Sequence, residues 1–178
     1  MPVKRQFAPG SIEAVNLTGG DVEPHYYKVL TRLLAAHAIA EKLTAVGYQR
    51  ALEKLSDAGL RPTIEKNLAE ERKHARLVYR LLEELGVSES HADRSMIPAL
   101  KAPSFAAARH FAENPADELD LVMASVSLDM TGSLMIGVNY KESSYAPHAR
   151  AAEIILEEEQ DHEERESVAG HERLRRAG

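Results

Sequence analysis

The stretch LVMASVSLDMTGSLMIGV, Leu121 to Val138, carries one charged residue, Asp129, at its centre. No other part of the chain restricts the fold as strongly. Its length approaches that of a membrane span. Asp129, set among Ser125, Ser127, Thr131 and Ser133, argues instead for a helix enclosed on all sides by other helices. No other segment approaches spanning length, so no membrane association is expected. An ionised carboxylate in such a place costs many kcal/mol unless it is paired, protonated or bound to a metal. The chain must supply Asp129 with a partner.

The remaining sequence reads as helices. Residues 1–21, with Gly10, Gly19 and Gly20, read as an irregular arm, and residues 22–178 as one domain. From about Glu23, apolar residues recur at three and four spacings: Leu30, Leu33, Leu34, Ala38, Leu43. Ser56, Asp57, Gly59 and Pro62 mark a break whose position the sequence leaves open by several residues. A second helix, IEKNLAEERKHARLVYRLLEELG, ends at Gly86. Residues 87–115 read as a long connection with a short helix starting near Ser104, after Pro103. A third long helix is expected from about Pro115 to Tyr140, and a fourth from near Pro147 to the C-terminus, joined by the turn KESSYAP. No strand signal of any length occurs. Four long helices, two short loops and one long crossover between helices 2 and 3 describe an all-α, ferritin-like four-helix bundle.

Composition removes several function classes. The 178 residues include no cysteine, which excludes disulfides, thiolate nucleophiles, zinc ribbons and Cys-ligated iron–sulfur clusters. The net charge of −6 is the wrong sign for a nucleic-acid binder. The start MPVKRQFAPGSIEAV lacks the apolar core of a signal peptide, and a cytoplasmic protein is expected.

Two Glu-x-x-His motifs stand out, Glu71 with His74 and Glu159 with His162. Alone, such a motif is weakly specific. Here each lies on a different long helix, where i,i+3 spacing puts both side chains on one face. Each also falls on an apolar stripe: Ile64, Leu68, Glu71, Ala75, Val78 in one helix, and Ala152, Ile155, Glu159, His162 in the other. Asp129 is the inward carboxylate of the third helix. Glu41 is that of the first, on the stripe Leu30, Leu34, His37, Glu41, Thr44, Tyr48. Glu41 and Glu71 are 30 residues apart, as are Asp129 and Glu159. In an antiparallel hairpin, level residues straddle the turn. The midpoints fall at Ser56–Asp57 and Ser143–Ser144, both turn signals.

Four carboxylates and two imidazoles thus meet at one level of a bundle. That is the ligand set of a carboxylate-bridged pair of iron or manganese ions. Asp129 is tolerated because a dication compensates it. Glu70 and Glu158, each preceding a motif glutamate, are placed to accept the outer N–H of the histidine on the facing helix. His37 reads as a core or cavity histidine rather than a ligand. His25, His91, His110, His148 and His171 carry no functional reading.

The segments AHAIAEKLTAVGY, EERKHARLVYRLLEELGV and SSYAPHARAAEIILEEEQDHEER resemble the phenylacetic acid catabolic family, most of all its catalytic epoxidase subunits. The resemblance runs from about Tyr26 to Gly170. It implies a ferritin-like fold and a di-iron centre held by a glutamate, a Glu-x-x-His, an aspartate and a second Glu-x-x-His. Those places are filled by Glu41, Glu71 with His74, Asp129, and Glu159 with His162. It also implies an aromatic acyl-CoA as a candidate substrate.

The expected activity is that of a non-haem di-iron monooxygenase. It binds two Fe ions, with Mn or another divalent ion as substitute, and uses O₂ to hydroxylate or epoxidise a small organic molecule. Ser125, Gly132 and Ser133 leave room for that molecule near Asp129. Electrons must come from a separate reductase, because the chain has no nucleotide-binding Gly-rich loop and no cysteines. A homodimer, or a heterodimer with a companion bundle subunit, is expected. The alternative is a ferritin-like iron-binding or peroxide-scavenging protein with no organic substrate. A tRNA hydroxylase on the same fold fits the charge poorly. A metal-dependent interaction module fits a full ligand set poorly.

Overall fold

The computed structural model describes residue 22 and residues 24–56, 58–101 and 143–177; their side chains are described except those of residue 25 and residues 162–164 and 166–177. These residues form four helices and no strand: α1 (Pro24–Lys54), α2 (Arg61–Glu84), α3 (Glu89–Leu100) and α4 (Ala146–Ala177). The arm at 1–21, the short helix near Ser104 and the long helix at 115–140 lie outside the described residues. No described helix is long and apolar enough to cross a membrane.

Pro24 opens α1, where its missing N–H is no loss. After α1, Arg61 donates from Nη2 to the carbonyls of Leu52 and Leu55, each at 3.2 Å. It thereby satisfies acceptors that the end of a helix leaves open. Pro62 sits in the first turn of α2, so it starts that helix rather than bending it. α2 ends as Gly86 predicts. Gly86 takes φ +80°, its N–H meets the Glu83 carbonyl at 2.9 Å, and the Val87 N–H meets the Leu82 carbonyl at 2.8 Å. This is a Schellman closure, which favours glycine at the left-handed position.

α3 departs from the sequence reading, which left residues 87–103 as connection. Ser88 caps the helix, its Oγ accepting from the His91 N–H at 3.4 Å. Pro98 inside the helix hides it from pattern reading. Two contacts hold α3 to the hairpin of α1 and α2. Ala92 is buried in the core, and Asp93 accepts from Lys42 at 2.8 Å and from the Tyr79 hydroxyl at 2.5 Å. Leu43 also departs from expectation, being 36% exposed instead of in the core.

The core divides into two apolar clusters. One gathers Leu30, Leu34, Ala38, Val78, Leu81 and Ile155 from α1, α2 and α4. The other gathers Tyr48, Leu55, Leu60, Ile64 and Leu68 from α1, α2 and their connection. Between them the chain places buried polar residues: Glu41 and Thr44 on α1, Glu71 and His74 on α2, Glu159 on α4. These residues form a polar layer between the two apolar clusters.

Candidate metal centre

Glu41, Glu71, His74 and Glu159 each offer one ligand atom, and these four atoms lie within 4.8 Å of one another. None is more than 5% exposed. Three helices supply them. The hairpin of α1 and α2 brings Glu41 level with Glu71, and i,i+3 spacing adds His74 on the same face. Glu159 arrives from α4. Asp129 lies outside the described residues. His162 lies in α4, three residues beyond Glu159, and its side chain is outside them too.

The two nitrogens of His74 face different carboxylates. Its Nδ1 faces the cluster, 3.2 Å from Glu159 Oε1 and 3.6 Å from Glu41 Oε2. Its Nε2 meets Glu158 Oε2 at 2.9 Å, the pairing that the position of Glu158 predicts. Glu158 also takes an ion pair from Lys73. Burial opposes the charge of Glu158, yet His74 and Lys73 outweigh it and bring its pKa down to about 2. Glu70, the corresponding residue of α2, is engaged by Arg165 and lies 3.7 Å from Lys66.

The electrostatics of the site favour a cation. Burial disfavours a charged His74, but Glu158, Glu159 and Glu41 together raise its pKa well above the ordinary imidazole value. Burial likewise disfavours an ionised Glu41, but hydrogen bonds with His37 and His74 hold its carboxyl well below the usual range. Glu158, Glu159 and Glu41 thus draw a proton onto His74. A set of acidic oxygens and one nitrogen, dry and close together, calls for positive charge. The mixture of carboxylate and imidazole suits iron, manganese or zinc more than calcium. The four residues could hold a metal ion, and Nδ1 would be the ligating atom of His74, with Nε2–H donated to Glu158.

Sequence reasoning missed three features. His37 is buried, as a core or cavity histidine should be, but spacing alone does not show that its Nε2 lies 2.6 Å from Glu41 Oε1. The i,i+4 spacing from Glu41 was the available signal. Lys73 shares Glu158 with His74, which no spacing rule suggests. Below the cluster, Arg165 donates to Asn67 Oδ1 at 3.1 Å, and Asn67 Nδ2 reaches the buried Tyr48 hydroxyl at 3.5 Å. Compared with protein-family models, curated proteins and solved structures, the chain matches none.

Proposed function

We propose that this chain is a non-haem di-iron oxygenase of the phenylacetic acid catabolic family. Its fold in this reading is a ferritin-like four-helix bundle with one long crossover, which includes α3, between its second and third long helices. One observation carries the reading: Glu41, Glu71, His74 and Glu159 gather, buried, within 4.8 Å. Glu41 and Glu71 do so at the level that their 30-residue register sets. The same register puts Asp129 level with Glu159, and i,i+3 spacing puts His162 on the Glu159 face. These two residues complete the set.

Two iron ions held by the six residues would supply the activation of O₂. The protein's own groups do the rest. Glu41, Glu71, Asp129 and Glu159 neutralise the ions. Glu158 fixes the ring of His74. The apolar clusters above and below the polar layer keep water from the centre. Ser125, Gly132 and Ser133 are small residues near Asp129 in the sequence, which suits an organic substrate there, and the family resemblance favours an aromatic acyl-CoA. Electrons come from a separate reductase, and a second bundle subunit, identical or companion, is the expected partner. The proposed setting is the cytoplasm.

The test has two stages. Iron-loaded protein should hold close to two irons per chain by metal analysis, and at most one would overturn the di-nuclear reading. Supplied with a reductase, labelled O₂ and candidate CoA esters, it should transfer label to an organic product. Rapid iron oxidation with efficient peroxide consumption and no labelled product would replace this reading with peroxide scavenging.

A further inference from the structure

We propose that His37 is a positioning residue that sets the orientation of the Glu41 carboxylate toward the metal centre. The inference rests on the metal reading above. On α2 the sequence supplies a glutamate and a histidine to the centre, and on α4 it does the same. From α1 comes one carboxylate alone. A glutamate side chain has three torsions, and the last is broad and roughly two-fold. Glu41 by itself could turn either oxygen, or neither, to the ions.

His37 removes that freedom. It sits one turn before Glu41 on the same face of α1, and both are buried, at 7% and 5% exposure. Its Nε2 lies 2.6 Å from Glu41 Oε1. A carboxylate only accepts, so Nε2 carries the hydrogen and the bond is charge-assisted. The other oxygen, Oε2, turns to the cluster, 3.6 Å from His74 Nδ1. The two oxygens therefore have separate tasks: Oε1 is anchored by α1 itself and Oε2 is presented inward. His37 stands outside the four-residue ligand group, its Nε2 committed to Glu41. It acts on Glu41 as Glu158 acts on His74, so the α1 ligand and the α2 imidazole are each braced from behind.

The experiment uses the full chain with three substitutions. H37F keeps a ring and loses the donor. H37M also loses the donor and is flexible enough to repack, so it carries the test if H37F does not fold. H37Q keeps an N–H donor at similar reach. Metal-free samples, checked for helicity and melting, are titrated with Fe²⁺ and Co²⁺ against a chromophoric chelator. H37F and H37M should bind metal about 10- to 100-fold more weakly than the unaltered chain, as loss of such partners does elsewhere. H37Q should recover most of the affinity, with the Co²⁺ spectrum of the unaltered chain. Unchanged affinity in the folded donor-less variants would overturn the inference. So would an H37Q as weak as they are with an altered Co²⁺ spectrum, because His37 would then be a ligand. Absence of metal binding by the unaltered chain is a separate result, and it overturns the metal reading itself together with this inference.

Discussion

The Nε2 of His74 lies 2.9 Å from Glu158 Oε2, while its Nδ1 lies 3.2 Å from Oε1 of Glu159, the next residue of α4. Neighbouring residues of one helix thus address the two nitrogens of a single imidazole on another. One nitrogen faces the cluster and the other faces away. The arrangement fixes the plane of the ring and directs Nδ1 to the cluster.

Glu158→Ala should therefore weaken metal binding although Glu158 is not itself in the ligand group. The expected loss is about 10- to 100-fold in affinity, read by chelator competition. Glu158→Gln keeps an acceptor for the Nε2–H and should lose less. Equal losses in the two variants would show that charge, and not the hydrogen bond to His74, is what Glu158 contributes.

His148 should make folding sensitive to mild acid. It is 2% exposed, with Nδ1 3.1 Å from Ser143 Oγ. Burial, helped by the field of His37, pushes its pKa from 6.5 down to about 4. Between these two values the unfolded chain binds a proton that the folded chain does not. Stability is therefore intact above about pH 6.5 and falls as the pH drops toward about 4, by about 3 kcal/mol if His148 acted alone. Urea unfolding at about pH 7 and at about pH 5 checks this. His148→Gln should flatten the decline, and an unchanged decline would assign it to other groups.

Gly86→Ala should cost about 1 kcal/mol, seen as a lowered melting temperature. An added Cβ at Gly86 would meet nothing within 4 Å, so the cost is purely that of φ +80°. Gly86→Asn, which tolerates the left-handed region better, should cost less.

Much of this was legible because helices impose a strict geometry. Every residue of the stripe Leu30, Leu34, His37, Glu41, Thr44, Tyr48 is buried, as its period requires. The register of Glu41 and Glu71 followed from the turn between them. Gly86 announced the end of α2. What failed had physical causes. Proline at position 98 masked α3. Leu43 fits the apolar repeat but lies on the open side of α1. The link between Lys73 and Glu158 depends on how α2 and α4 pack, and no spacing within one helix encodes it. The i,i+4 spacing places His37 beside Glu41, but a buried histidine is usually a core residue, and the 2.6 Å approach to Glu41 is what shows its role.

The sharpest separation of function from stability lies at Glu71. It is 1% exposed and shares its small volume with the carboxylates of Glu41 and Glu159. His74 is the one imidazole in that group. Three acidic side chains thus crowd one small buried volume, and each buried charge carries a desolvation cost of several kcal/mol. Glu71→Gln keeps the shape and removes one charge. Metal-free Glu71→Gln protein should therefore be at least as stable as the unaltered chain, with a gain on the order of 1 kcal/mol. The same substitution should abolish tight binding of at least one ion, because an amide oxygen is a far poorer ligand than a carboxylate. Chemical denaturation of metal-free samples and metal analysis after iron loading give the two readings. A metal-free variant less stable by more than about 1 kcal/mol would mean that Glu71 is a structural hydrogen-bonding residue. A stable variant that still binds two ions tightly would remove Glu71 from the ligand set.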